Sequence, residues 1–268
     1  KLESLDVNHL TVSNLSAHIL INHITDNSLD AAIKRLSFKE QSGLDLRNLE
    51  FRLKVDRRSA VATDFKLSLP RTDISLPLVR ADYKMTGKSV DRRSLSFSAT
   101  LDRSTVAPSD LGFLDPTLRG FSNRFNIEAK VRGTGNSVDL TQLRISTDDQ
   151  SIIVRGKGRV DNLAHNPQWS FVASQLKTSA DGIKYVARNL QRHKINLPKE
   201  LVNLGDFTLS GKASGQGRRL AAEGLLRSAA GNVSFKAHMS GPAFDAVVRT
   251  PGIDIGRILG NDDFGMVV

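Results

Sequence analysis

The chain contains no cysteine. That excludes a disulfide scaffold, thiolate nucleophiles and cysteine-ligated zinc, and it suits any compartment, including an oxidising one where stray thiols are a liability. Aromatics with a polar handle are almost as scarce: one Trp and two Tyr stand beside twelve Phe in 268 residues. Strand-borne RNA recognition uses exposed aromatic rings as stacking platforms. Here the Phe mostly fall on apolar faces and the basic residues form no block, so nucleic acid is not expected as a partner. No apolar run approaches the roughly 18 residues needed to span a bilayer. A signal peptide is also missing, and the sequence opens on Lys1 in mid-pattern and stops at Val268 just after a fresh unit begins. The expectation is an internal piece of a longer protein, with any targeting signal or anchor outside it. Acidic residues are in deficit, 28 against 38 Lys and Arg, which leaves a net charge of +10. Such an excess suits an anionic membrane surface or an acidic lipid.

What the sequence has in quantity is period-2 alternation, the mark of a half-buried strand. Phe125, Ile127, Ala129 and Val131 share one face, while Asn126, Glu128 and Lys130 share the other. The same reading holds for Leu49/Phe51/Leu53/Val55, for Phe65/Leu67/Leu69 and for Leu95/Phe97/Ala99/Leu101. It holds again for Phe207/Leu209/Gly211/Ala213 and Val233/Phe235/Ala237/Met239. Turn signals separate these runs at Arg57-Arg58, Gly133-Thr-Gly135-Asn136, Asp148-Asp149, residues 162–167 and Gly215-Gln-Gly217.

Helix is scarce. Residues 181–191 are the best candidate, with Ile183, Val186, Ala187 and Leu190 on one face and Asp181 as N-cap. Shorter relatives start near Asp110 and Asp254. These three aspartates expose a repeat: Asp110 to Asp181 spans 71 residues and Asp181 to Asp254 spans 73. Phe125, Lys130, Gly133 and Gly135 return 82 positions later as Phe207, Lys212, Gly215 and Gly217, the excess being taken up by the longer helix and the segment 193–198. The expected organisation is an N-terminal β region over 1–90 and a first repeat over 91–165 with a short helix near 109–118. A second repeat follows over 166–243 with a helix near 181–192, and the start of a third over 244–268. Stacked units of this kind share one continuous core.

About a dozen strands each carry one apolar face, yet one good helix is far too little to cover them. The faces must be hidden by a second sheet, as in a sandwich, or by the same sheet curled over on itself. A curled sheet whose walls do not fully interdigitate leaves an apolar trough suited to an acyl chain. The fold class expected is therefore mainly β: a long curled antiparallel sheet, built from repeats, with one or two short helices.

Other constellations carry little chemistry. His9, His18 and His23 cluster in sequence, but the 18/23 spacing puts those two on opposite faces of a strand, and metal ligation needs convergence. Gly133-Thr-Gly135 and Gly215-Gln-Gly217 follow strands without a helix or a Lys-Ser/Thr behind them, so they read as hairpin turns rather than phosphate loops. Asp110, Asp181 and Asp254 read as helix caps rather than a catalytic or calcium set. No Ser/His/Asp grouping has local support, and no enzyme, metal or cofactor is expected. Arg52, Lys54, Lys130, Arg155, Lys157 and Arg159 lie on outer strand faces, as a solvated surface or as attraction for anionic head groups. Candidate groove residues are Phe51, Leu53, Phe65, Leu67, Phe97, Phe125, Ile127, Val131, Val154, Phe171, Phe207, Leu209 and Phe235. A charge placed at Phe125 or Phe207 is expected to block transport and leave a soluble protein.

The stretch Asp30-Ala-Ala-Ile-Lys-Arg-Leu-Ser-Phe-Lys-Glu-Gln-Ser-Gly-Leu44 resembles a segment of TamB-like proteins of Bacteroidetes type, within the wider AsmA-like group. The motif at Ser109-Asp110-Leu111 is similar to that family as well. So are the segment from Leu197-Pro198 through Leu204-Gly205-Asp-Phe-Thr-Leu-Ser-Gly-Lys212 and the terminal Ile255-Gly-Arg-Ile-Leu-Gly-Asn-Asp-Asp-Phe-Gly265. The similarity is spread over nearly the whole chain through weak motifs. It implies an internal stretch of the inner-membrane component of a translocation and assembly module, lying in the periplasm and anchored by a helix not present here. It implies further a β-taco whose groove passes phospholipid or another acyl-chain lipid toward the outer membrane. An outer-membrane barrel partner is associated with the family, through regions this chain does not contain, since the family's C-terminal domain is missing. The alternative is an assembly module that docks outer-membrane protein precursors, or a barrel, by strand addition.

Overall fold

A computed structural model describes residues 11–87, 89–191, 199–261, 263 and 265–267. The chain divides into two compact units, residues 1–141 and 142–268. In the first unit the strands are β1 (Val12–Thr25), β2 (Ser28–Glu40), the two-residue β3 (Asp45–Leu46), β4 (Asn48–Val55), β5 (Ser59–Ser68), β6 (Asp73–Thr86), β7 (Ser89–Val106) and β8 (Phe125–Thr134). Strand β9 (Ser137–Thr147) spans the division. The second unit continues with β10 (Ile153–Asp161), β11 (Gln168–Ser179), α1 (Ala180–Gln191), α2 (Lys199–Asn203) and β12 (Asp206–Gln216). It ends with β13 (Arg219–Ser228), β14 (Gly231–Ser240), β15 (Ala243–Asp254), α3 (Ile255–Leu259) and the two-residue β16 (Met266–Val267).

The protein is mainly β. In each unit the long strands pair antiparallel with their neighbours in the chain, without crossovers, and β3 is appended to β2. Among the described residues the first and last strands of neither unit pair with each other, so neither closes into a barrel. This open antiparallel sheet is the one the alternation predicts. No described helix is long and apolar enough to cross a membrane.

The element order recurs. A helical connection follows β7, then four strands, another helical connection after β11, four more strands, and a third after β15. The first connection holds two 3₁₀ turns, Pro108–Leu111 and Pro116–Gly120, each with proline in its first turn, where the missing N–H costs nothing. The second holds α1 and the short α2. Asn203 Nδ2 donates to the Ile258 carbonyl at 2.9 Å, which ties α2 to α3. All of these connections leave from the same kind of strand end. Tight turns close the other end, such as Asp56–Ser59, where the Asp56 carboxylate accepts the amides of Arg58 (2.6 Å) and Ser59 (2.8 Å).

Apart from Ala32, in mid-β2 opposite Arg52, buried side chains gather at the helical end of each unit. In the first these are Leu46, Leu69, Thr72, Ser104, Ala107 and Phe121; in the second, Thr147, Thr178, Ala180, Phe207 and Ala230. Their polar members are satisfied locally: Ala107 N–H donates to Thr72 Oγ1 (3.0 Å), and Ser75 N–H to Ser104 Oγ (2.9 Å). The accessible surface is 17109 Å². Even two separate compact units of half the mass each would expose only about 14,000 Å². Large apolar side chains on the strands stay in contact with water, among them Leu15, Ile19, Ile24, Phe244 and Val248.

Candidate functional site: the apolar inner face

Cross-strand register assigns every residue to a face, because directly opposed residues point the same way. In the second unit four rows run across the strands. One reads Val154, Leu176, Leu209, Leu226, Val233. The next reads Gly156, Ala173, Gly211, Gly224, Phe235, Val248, and the third Gly158, Phe171, Ala213, Ala222, Ala237, Ala246. The last, nearest the tight turns, reads Val160, Trp169, Gly215, Leu220, Met239, Phe244. No charged side chain interrupts these rows. In the first unit, Ile24, Leu29, Val55, Ala60, Ala81, Phe97 and Gly133 form one row. Ile21, Ala31, Leu53, Ala62, Val79, Ala99 and Val131 form a second.

Bulges keep these faces in phase. Asp64 sits at φ +55, so Ala60 and Ala62 before it and Phe65 and Leu67 after it point the same way, and β6 matches the irregularity at Pro77. Phe51 and Phe65 then stack with ring centroids 5.9 Å apart.

The candidate groove residues do lie on these inner faces, but they are not equivalent. Phe51, Leu53, Phe65, Leu67, Phe97, Phe125, Ile127, Val131, Val154, Phe171, Leu209 and Phe235 are half-buried. Phe207 is only 7% exposed, packed at the helical end with Thr178 and Ser228 opposite it. A charge at Phe207 would therefore disrupt the fold rather than test the face. A closed sandwich core would bury the whole set, whereas here the middle of the face remains open.

Several aromatic rings lie flat across glycines of the next strand, a feature the sequence reading did not anticipate. A methyl group added at Gly156 would sit 2.6 Å from the Phe171 ring, at Gly133 2.5 Å from Phe97, and at Gly215 2.8 Å from Trp169. Glycine permits this close approach, and the ring in return covers a stretch of backbone that lacks a side chain. The result is a low apolar floor rather than a row of protruding rings. The signal was present in the sequence: glycine falls in phase with the Phe on facing strands.

The outer faces carry the charges, several of them paired across strands. Glu223 bridges Lys212 (3.0 Å) and Lys236 (3.8 Å), Lys54 meets Asp30 (3.4 Å), and Lys66 meets Glu50 (2.8 Å). The hydrogen bond and charge of Lys212 hold the Glu223 carboxyl below its usual range, and Lys66 does the same for Glu50.

The expected caps behave differently from one another. Asp254 is the N-cap of α3, accepting the Arg257 N–H at 2.9 Å. Asp181 instead lies inside the first turn of α1, and Ser179 Oγ accepts the Gly182 N–H at 3.2 Å. Asp110 caps nothing: its carboxylate accepts the Arg71 N–H (2.7 Å), pinning the β5–β6 turn to the first 3₁₀ turn. His9 lies outside the described residues. A bulge between Ile21 and His23 places His18, opposite Arg35, and His23, opposite Asp30, on the same outer face rather than on opposite ones. Five positions of extended strand still separate them, too far for a shared ion, and no metal-competent cluster occurs among the described residues.

Compared with protein-family models, curated proteins and solved structures, the chain matches none.

Proposed function

We propose that this chain is a segment of a bridge-like lipid carrier, one that keeps acyl chains dry on its apolar inner faces. The observation that carries this reading is the uncharged, half-exposed field of inner rows, four rows deep in the second unit. Its mechanism is passive. Each CH₂ held on such a face instead of in water is worth about 0.8 kcal/mol, so a lipid tail is retained without any chemical step. The rings laid over the glycines, with the alanines of the third row, give a low apolar surface on which a chain can lie. The setting is the periplasm of a Gram-negative envelope, in support of outer-membrane biogenesis, which the resemblance to TamB-like proteins suggests and a cysteine-free sequence suits. The test is lipid extraction and mass spectrometry of the purified protein, wild type and Phe235→Glu. Copurifying phospholipid that is lost in the folded variant supports the carrier. A folded wild-type protein free of lipid contradicts it.

One observation favours the second reading, docking of precursor strands by edge pairing. Among the described residues β1 pairs only with β2, and its fourteen residues contain neither charge nor proline, the usual guards of an exposed edge. Leu15, Ile19, Ile21 and Ile24 are each more than half exposed there.

A further inference from the structure

The three Arg-Arg dipeptides of the sequence, Arg57-Arg58, Arg92-Arg93 and Arg218-Arg219, all fall at the tight-turn end of their unit. The helical connections leave from the opposite end. The first pair occupies the β4–β5 turn. The second stands on a bulge at the start of β7, where Asp91 faces Lys84 but Ser96 already faces Asp82. The third follows Gly217, whose φ of +56 makes the β12–β13 turn. All six side chains are exposed, and among the described residues none makes an ion pair; along the strands Arg52, Arg80, Arg132 and Arg159 each pair with an aspartate, while Arg155, Arg227 and Arg249 do not. Asp56, the carboxylate next to the first pair, is taken up by backbone amides.

Two of these arginines border apolar residues. Arg57 lines a cavity of about 910 Å³ together with Ile24, Leu29, Val55, Tyr83 and Met85, and with the carboxylates Asp26 and Asp56. Arg219, which stands opposite Gln216 and Ser240, borders a depression of about 490 Å³ whose lining mixes Leu220, Met239 and Phe244 with the outer-row Ser214, His238 and Asp245. Phe244 is 70% exposed and Trp169, in the same row, 37%. An amphiphile whose tail lies along the strands would have its head at this end.

Resting on the acyl-chain reading above, we infer that the tight-turn ends bind the phosphate of an anionic lipid through the arginine pairs, the tail lying on the inner rows. Arginine suits this task because its planar fork of donors matches phosphate oxygens bidentately.

The test compares two probes carrying the same fluorescent acyl chain, phosphatidylglycerol and diacylglycerol, bound to the purified chain. Wild type should bind the phosphatidylglycerol about tenfold tighter, the size of one charge-assisted contact. In R57Q/R58Q/R92Q/R93Q/R218Q/R219Q that preference should fall to about twofold while diacylglycerol binding persists. A variant losing the same charge from mid-strand, K34Q/K130Q/R155Q/K157Q/R227Q/R249Q, should keep the preference. If the turn-end variant keeps it, or both variants lose it equally, the arginine pairs are not the head-group site although the acyl-chain reading stands. If wild type binds neither probe, the acyl-chain reading falls and this inference with it.

Discussion

Phe207 and Phe235 are the same residue type, on the same inner face of the same unit, two strands apart, yet their surroundings differ sharply. Phe207 stands at the helical end beside buried Thr178, Ala180 and Ala230 and is nearly sealed from water. Phe235 stands in mid-face over Gly224, partly in contact with solvent. The difference separates two jobs on one surface. The helical end holds the fold together, and the middle of the face keeps apolar surface available. Alternation alone does not distinguish them, because both satisfy the same period.

The comparison can be broken by substitution, the largest effect coming from the sealed end. Phe207→Ala should cost about 3–4 kcal/mol, removing transfer free energy and leaving a cavity that rigid neighbours cannot fill; urea unfolding measures it, and a loss under 1 kcal/mol would put Phe207 with the open face. Gly156→Ala should cost about 1–3 kcal/mol, since its methyl group would meet both the Val172 carbonyl and the Phe171 ring, and strand and ring must both shift. Its readout is the urea midpoint together with the near-ultraviolet signal of the displaced ring. Phe235→Ala should cost less, about 2 kcal/mol, because part of the ring's transfer free energy is already forgone. A cost as large as that of Phe207→Ala would mean that the middle of the face is a core.

The smallest effect is electrostatic. Lys212, by hydrogen bond and charge, and then Lys236 depress the Glu223 carboxyl below its unfolded value. Its contribution is complete above the unfolded pKa and disappears as pH falls through the folded one. Glu223→Gln should therefore differ from wild type near neutrality and converge with it in acid, and added salt should shrink the difference. A gap that persists in acid would assign the effect to packing instead.

Much of this architecture was legible because strands advertise their faces. Phe125, Ile127 and Val131 alternate without interruption and stand on one face. Legibility failed where one residue breaks the period: the bulge before His23 reversed the expected sides of the histidines, and no propensity marks such a bulge. It failed also where short connections offer several cap candidates. Ser179 rather than Asp181 meets the first amides of α1, and Asp110 reaches across to Arg71, a contact 39 residues away. Helix α2, five residues long, is too short to show a helical period. On the inner face, membership was legible but burial was not. Whether a half-buried strand meets a second sheet or water depends on how the whole face is covered, which no single strand encodes. Of the turn-end arginines only Arg57-Arg58 was visible as a turn signal, and the common strand end alone relates the three pairs.

The most direct measurement of the central claim is photo-crosslinking with adjacent positions of one strand as mutual controls. Benzoylphenylalanine placed at Phe235 projects from the inner face, and at Lys236 from the outer face, one residue apart on β14. Irradiation of the protein in envelope extract followed by mass spectrometry should give a lipid adduct at position 235 and none at 236. Adducts of equal yield at both positions, or at 236 alone, would contradict the assignment of the apolar inner face as the lipid-bearing surface.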